Sequence, residues 1–165
     1  MIAARLLQKV EQNWEHIAST VILARDHDPH LPTYRNLSDD EIRDRVRDLT
    51  THLAEWLTAR DETRLAAHFE DLGRRRYQQQ VPLHELIQKL NVIKRAIRTF
   101  ASEANYSLTP VGMYDELELL RAMAAYFDFV VYHVAKGYEE ALRANRDWDP
   151  GRFRLRPGRW LPDRA

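Results

Sequence analysis

The stretch RRRYQQQVPLHELI, residues 74–87, decides how the chain folds, because it separates two helices and begins the more regular of them. From Leu83 to about Ala104, apolar side chains recur at steps of three and four, the period of an α-helix. They are Leu83, Leu86, Ile87, Leu90, Ile93, Ile97 and Phe100. The opposite side carries polar residues, namely Glu85, Lys89, Arg95, Arg98 and Ser102. Pro82 suits a first helical turn, where its missing N–H would have no partner.

Composition indicates one soluble helical domain. The 165 residues are 44% hydrophobic and 30% charged, and only five are glycine. The 25 basic residues balance the 25 acidic ones, so the charge gives no sign of nucleic-acid binding. The absence of cysteine excludes disulfides and thiolate chemistry and is compatible with a cytoplasmic protein. The longest apolar region, residues 122–135, is too short to span a bilayer.

Capping signals and apolar periodicity predict four further helices. Ser38 and Glu41 form a capping box, Asp61 caps the next helix, and Thr109 with Pro110 begins the last. Asp26, Asp28, Pro29, Pro32 and Asn36 predict a loop over residues 25–37. With the helix described above, the predicted helices cover residues 2–24, 38–59, 61–79, 83–104 and 110–145.

The last predicted helix is apolar over most of its circumference. Its core stripe is predicted to contain Leu117, Leu120, Met123, Ala124, Phe127, Val130, Val131 and Val134. Leu119, Tyr126, Phe129 and Tyr132 lie on its other sides. A helix of this kind is buried on several sides, either at the centre of a bundle or in a subunit interface.

These patterns predict an all-α fold, a single-domain bundle of about five helices that is globin-like or four-helix-bundle-like. Residues 1–147 form the helical domain, and residues 148–165 form an irregular tail rich in proline and arginine. The tail arginines are interleaved with aromatic residues, which could contact nucleic acid, but packing of the tail on its own bundle is the more ordinary arrangement.

No catalytic or metal-binding motif is complete. His27-Asp28-Pro29-His30 is the densest metal-capable cluster, but no third ligand is indicated. No glutamate has a histidine three residues later, as di-iron bundles require. The zinc-protease pattern fails because Gln88 occupies the second histidine position after His84 and Glu85. The sequence therefore predicts neither catalytic nor metal-ligating residues and no cofactor.

Several residues are candidates for ligand or partner binding. Arg74, Arg75 and Arg76 form a basic run that could bind an anion, although arginine is also favourable near a helix C-terminus. Asp128 with Lys94 or Arg95 could form a buried pair, or all three could lie on the surface. His133, in the most apolar helix, is either a haem ligand or an interior or interface histidine bonded to a neighbour, and His84 is either a haem ligand or a surface residue in the first turn of its helix. The predicted set is Arg76, His84, Lys94, Arg95, Tyr126, Asp128 and His133.

The segment from Leu65 to Phe100 resembles the N-terminal sensory domains of bacterial stress-signalling regulators, the RsbR/RsbRD-like co-antagonist family. The resemblance rests on Arg76, Gln79, Val81-Pro82-Leu83, Glu85-Leu86 and the series Leu90, Ile93, Lys94-Arg95 and Ile97. It implies an all-helical fold related to haem-less globins, dimerisation, and sensing or scaffolding without catalysis. Gln80 stands where the family tends to have glycine.

Two functions follow as expectations. The first is a non-catalytic cytoplasmic signalling domain that dimerises through the fourth or fifth predicted helix and binds a signalling protein or a ligand. The alternative is a globin-like carrier or sensor of haem or another small ligand. The signal, the downstream partner and the dimer face are not specified by the sequence.

Overall fold

The structure, a computed structural model, describes residues 4–58, 61–104 and 110–145. These ranges contain six α-helices and one short 3₁₀ segment and no strand, which confirms the predicted all-α fold. The helices are α1 (Ala4–Gln12), α2 (Trp14–His27), α3 (Asp39–Thr58), α4 (Glu62–Gln78), α5 (Leu83–Ala104) and α6 (Pro110–Ala144). The 3₁₀ segment is Thr33–Asn36. The predicted tail, the Thr109 cap and the link before it lie outside the described residues.

The first predicted helix, residues 2–24, is divided into α1 and α2, so the described residues contain six helices where about five were predicted. The break falls at Asn13, whose backbone N–H and side-chain amide both donate to the carbonyl of Lys9, at 3.1 and 2.8 Å. An asparagine side chain that competes for helical hydrogen bonds disfavours continuation of the helix. The apolar stripe continues across the break through Val10, Ile17 and Val21, all buried. Periodicity alone therefore does not reveal the break.

The predicted loop after α2 folds back on α5. Asp28 accepts a hydrogen bond from the Gln88 side chain at 2.8 Å. The buried carboxylate of Glu85 accepts from the backbone N–H and the hydroxyl of Thr33, at 2.9 and 2.5 Å. These bonds hold the 3₁₀ segment against the start of α5.

The predicted caps of α3 and α4 are confirmed. The Glu41 N–H donates to the Ser38 hydroxyl at 3.2 Å, and the Ser38 N–H donates to the Glu41 carboxylate at 2.9 Å. The Asp61 carboxylate accepts from the Arg64 N–H at 3.0 Å. These local bonds fix where both helices begin.

The α4–α5 turn reverses the chain at Gln80, which has a φ of 57° in the left-handed region. The Gln80 N–H donates to the Tyr77 carbonyl at 2.9 Å, and the Val81 N–H donates to the Arg76 carbonyl at 3.1 Å. This pair of bonds is the Schellman ending of a helix, a position that normally favours glycine. Glutamine therefore makes the same turn at a conformational cost.

Helices α4 and α6 make the most extensive helix contact in the described part of the chain, and two glycines allow it. A Cβ atom on Gly73 would overlap the Val134 carbonyl and lie 2.8 Å from the Tyr138 nitrogen. A Cβ atom on Gly137 would lie 2.6 Å from the Glu70 carbonyl carbon. Gly73 was predicted only to weaken its helix, but its lack of a side chain is what permits the two backbones to touch.

The core side of α6 is rotated from the predicted stripe. Leu117 was predicted to be buried but is 45% exposed, whereas Leu119 and Tyr126, predicted for other sides, are fully buried. Met123, Phe127, Val130 and Val134 are buried as predicted. On a helix apolar over most of its circumference, periodicity fits more than one face, so the glycine contact with α4 decides the orientation.

Candidate functional site

A cavity of about 710 Å³ opens between the 3₁₀ segment, the first half of α3, the second half of α4 and the start of α5. One part of its wall is apolar and contains Leu37, Leu49, Leu72, Val81, Leu86 and Leu90. The α4–α5 turn closes one side, because Gln79, Gln80 and Val81 all line it. The turn that decides the fold thus also shapes the cavity.

Three of the cationic side chains that line this space, which we call the cationic cavity, are Arg45, Arg76 and Lys89. Lys89 is only 7% exposed. Across the described ranges, none of the three forms an ion pair with a carboxylate. The Nη1 of Arg45 and the Nε of Arg76 are buried without a hydrogen-bond partner in the described structure. Cationic groups buried in this way are unusual, because burial of a charge is costly unless it is paired.

Tyr34 of the 3₁₀ segment links two of these cations. The Lys89 Nζ lies 5.1 Å from the centre of the Tyr34 ring, and the Arg45 Cζ lies 5.5 Å from the same centre. Both distances are within the range of cation–π attraction. The Tyr34 ring is buried, and its hydroxyl has no partner among the described residues. The ring offsets part of the repulsion between the cations, and the hydroxyl adds a fourth free donor.

The pKa values reflect this crowding. Burial, and then the neighbouring Arg45 and Arg76, lower the pKa of Lys89 well below its ordinary value. Burial also lowers the pKa of Arg45, and burial together with Arg45 lowers that of Arg76. Burial raises the pKa of Tyr34. The cavity therefore favours release of a proton from Lys89 when no anion is near.

Asp48, His52 and His68 form a cluster on the α3–α4 side of the cavity. The His68 Nε2 lies 3.1 Å from the Asp48 carboxylate, and the two imidazole rings stack with centres 4.2 Å apart. Burial acts to raise the pKa of Asp48, but hydrogen bonds with His52 and His68 outweigh it and hold that pKa below its usual range. The hydrogen bond with Asp48 raises the pKa of His52 despite partial burial.

This cluster also has metal-capable geometry. Within the described ranges, the set of three possible ligands is Asp48, His52 and His68, with ligand atoms within 4.8 Å of one another. However, the His52 Nδ1 lies 2.8 Å from the Asp48 backbone carbonyl, so it carries a proton and donates. The hydrogen bonds already account for the arrangement, and a metal would have to break them.

The acidic residues lining the cavity leave its cations unmatched. Glu41 is engaged in the Ser38 capping box, and Asp48 is engaged by the two histidines. The third acidic residue of the lining, Asp44, forms no ion pair with the cavity cations in the described structure. Arg75, which also lines the cavity, pairs with Asp71 at 2.6 Å. The unmatched positive charge is thus concentrated at Arg45, Arg76 and Lys89.

Of the predicted binding residues, the structure brings only Arg76 to this cavity. His84 is exposed in the first turn of α5, and Arg95 and Asp128 are exposed as well. The Lys94 Nζ lies 5.9 Å from the centre of the Phe127 ring. No ion pair joins Asp128 to Lys94 or Arg95 in the described structure. Arg95 and Asp128 take the surface placement that the sequence left open, whereas Lys94 is half-buried.

The two remaining predicted residues bond elsewhere in the bundle. Tyr126 is fully buried, its hydroxyl donates to the Leu49 carbonyl at 3.0 Å, and burial raises its pKa well above the ordinary value. The His133 Nδ1 lies 2.8 Å from the Glu70 carboxylate on α4. The role of His133 or His84 as a haem ligand stays a prediction.

Sequence analysis placed Lys89 and Glu85 on the polar face of α5, and both are buried. Their spacing of four residues is typical of a solvent-exposed pair. Instead, Glu85 bonds Thr33 and Lys89 faces Tyr34. Arg45 and Tyr34 gave no signal, because the contacts that bring them together join residues far apart in the chain.

The described structure is an all-helical domain with a partly open cavity, whose wall carries three cationic side chains that have no carboxylate partner among the described residues. Residues 15–149 match the family described as the RsbT co-antagonist protein rsbRD N-terminal domain, and the chain belongs to this family. This family is one of signalling regulatory domains. Comparison with curated proteins and with solved structures gave no significant match. None of the described helices combines the length and apolarity needed to cross a membrane.

Proposed function

We propose that this chain is a non-catalytic regulatory domain of cytoplasmic stress signalling, which acts as a homodimer and transmits ligand or partner binding through its helix packing. The observation that carries the proposal is the family match over residues 15–149. The family description names RsbT, so a signalling protein of that class is the proposed partner.

The surface that best fits a dimer is the first half of α6. Val111, Met113, Tyr114 and Leu117 are 45–65% exposed there. Val111, Tyr114 and Leu117 recur every three residues and share one side of the helix. A two-fold axis places the same patch on both subunits, so a single apolar patch can cover itself. By contrast, the exposed residues of α5 are polar: His84, Arg95, Arg98, Thr99, Ser102 and Glu103.

Size-exclusion chromatography with light scattering tests the dimer on wild type, Leu117→Glu and Leu23→Glu. Leu23 is the matched control, because it is 64% exposed but lies on α2. We expect dimers for wild type and Leu23→Glu and a folded monomer for Leu117→Glu. A wild-type monomer at high concentration would overturn the proposed dimer, and an unaffected Leu117→Glu dimer would overturn the proposed interface.

The partner is tested in the same way, by adding purified RsbT protein to the wild-type sample. Co-elution with a defined stoichiometry supports a regulatory contact. If the two proteins elute separately at micromolar concentrations, and isothermal calorimetry detects no heat of binding, RsbT is not the partner.

A further inference from the structure

We propose that the cationic cavity binds a small organic anion, whose phosphate or carboxylate group is held by Arg45, Arg76 and Lys89. This inference deepens the proposed regulatory function by naming the ligand class, and its consequence for signalling rests on that function. The binding itself is independent of the dimer and of the protein partner.

The cavity cations have no carboxylate partner in the described structure, whereas neighbouring arginines on the same helices do. Arg43, two residues before Arg45, pairs with Asp40 at 2.9 Å. Arg74, two residues before Arg76, pairs with Glu140 at 3.0 Å. Arg45, Arg76 and Lys89 have no carboxylate partner in the described structure, although Lys89 is more than nine-tenths buried. An anion that enters the cavity supplies the missing partner.

The unpartnered polar atoms of the cavity are hydrogen-bond donors. The Tyr34 hydroxyl, Arg45 Nη1 and Arg76 Nε lack partners within the described ranges, and all three can donate a hydrogen bond. The Lys89 ammonium adds further donors. Phosphate and carboxylate oxygens only accept, and guanidinium groups match their planar geometry. A cation, or a ligand that mainly donates, would leave these atoms unsatisfied.

The rest of the cavity has the size and the apolar wall of a site for an organic molecule. A volume of about 710 Å³ is much larger than an inorganic ion needs and lies in the range of small-molecule sites. The Leu37, Leu49, Leu86 and Leu90 side chains offer an apolar wall beside the charged one. The ligand therefore carries its charge at one end and an organic body at the other.

Binding is coupled to protonation. Lys89 faces Arg45 and Arg76, with Asp48 as the acidic group that acts on it and Tyr34 beside it. A bound anion counteracts the burial and repulsion that lower the pKa of Lys89, so it favours the ammonium form. We therefore expect proton uptake on binding.

The test is isothermal calorimetry of the full chain with two probes that carry the charge at one end and an apolar ring at the other, phenyl phosphate for phosphate ligands and benzoate for carboxylate ligands, at constant ionic strength. Arg45→Gln and Arg76→Gln are expected to weaken binding of the preferred probe about tenfold or more, because each removes a partner of a buried charge. Arg43→Gln and Arg74→Gln remove the same charge from the same helices outside the cavity and are expected to leave the affinity within about twofold.

Titration in two buffers of different ionisation enthalpy, repeated from neutral to alkaline pH, measures proton uptake. Uptake should occur in wild type over the pH range in which the free Lys89 amine titrates, and it should be absent in Lys89→Met. Circular dichroism verifies that each variant is folded, and either arginine variant suffices for the comparison. The proposal is overturned if neither probe binds, or if the control variants weaken binding as much as the cavity variants, since the attraction is then only diffuse surface charge. If the protein is a dimer but binds neither probe, the anion site is wrong and the proposed dimer stands. If the protein binds a probe as a monomer, the proposed dimer is wrong and the anion site stands.

Discussion

The two sides of helix α4 differ in how their charges are satisfied. Towards α6, the Glu70 carboxylate accepts from His133 and Lys136, at 2.8 and 2.7 Å, and Arg74 pairs with Glu140. Towards the cationic cavity, Arg76 keeps an unbonded buried Nε. Residues of one basic run thus serve two purposes. The charges on the α6 side therefore stabilise the contact between the two helices. On the cavity side, a buried charge without a partner destabilises the fold, and a bound anion can offset that destabilisation.

The largest expected effect concerns the glycine contact. Gly73→Ala should destabilise the domain by about 3 kcal/mol, because the added methyl group forces the α4 and α6 backbones apart. Helix propensity alone would predict that the same substitution raises the free energy of unfolding by about 1 kcal/mol. Ala67→Gly, at an exposed α4 position, is the control and should lose about that amount. Urea denaturation measures both, and a stabilised Gly73→Ala would refute the close contact.

Removal of a charge from the side of α4 that faces α6, where the charges are paired, should also destabilise the domain. Glu70→Gln removes the carboxylate that His133 and Lys136 share, and Lys136 keeps only the more distant Glu140, at 3.8 Å. We expect a loss of about 2 kcal/mol in the free energy of unfolding. Glu139→Gln is the control, because its pair with Arg143 is exposed and should contribute at most about 0.5 kcal/mol. Equal losses in the two variants would mean that the α6 side is no better matched than an ordinary surface.

Removal of charge from the cavity side should have the opposite sign. Lys89→Met keeps the length of the side chain and removes a buried, unmatched amine, so the free energy of unfolding should rise by about 1 kcal/mol. The denaturation midpoint in urea, measured without added anions, checks this. A loss comparable to that of a core truncation would show that Lys89 stabilises the fold and would remove the contrast between the two sides.

The smallest effect is the pH dependence of the histidine cluster. The pKa of His52 in the folded state is raised above 6.5. Its contribution to the stability of the fold is therefore complete below pH 6.5 and is lost as the pH rises through the folded-state pKa. The pKa of Asp48 in the folded state is lowered below 3.8. Its contribution to the stability of the fold is therefore complete above pH 3.8 and is lost on further acidification. The stabilisation should therefore be greatest between these values.

Thermal unfolding of wild type and His52→Gln from acidic to alkaline pH measures this window. The two curves should differ most between about pH 4 and 6.5 and converge as the pH rises further. His27→Gln, at an exposed position, is the control and should follow wild type. A constant difference at all pH values would show that His52 acts by packing and not through its charge.

The local parts of the fold were predictable because their causes lie within a few residues. The capping pairs of α3 and α4, the helix from Leu83 to Ala104 and the turn before it are each specified by neighbouring side chains. The break at Asn13 was missed, because the apolar period passes through it unchanged. The family resemblance, placed around the α4–α5 turn, was confirmed over residues 15–149.

The site was largely not predictable, because its parts are brought together by contacts between distant segments. The sequence by itself determined the all-helical class, most helix ends and the presence of Arg76 beside a turn. Only the tertiary structure decided which face of α6 is buried, since two glycines must meet α4 there. It also decided that Arg76 faces a cavity together with Arg45 and Lys89. Hydrophobic periodicity shows how much apolar surface a helix carries. The packing of the neighbouring helices decides which part of that surface is buried and which charges remain without a partner.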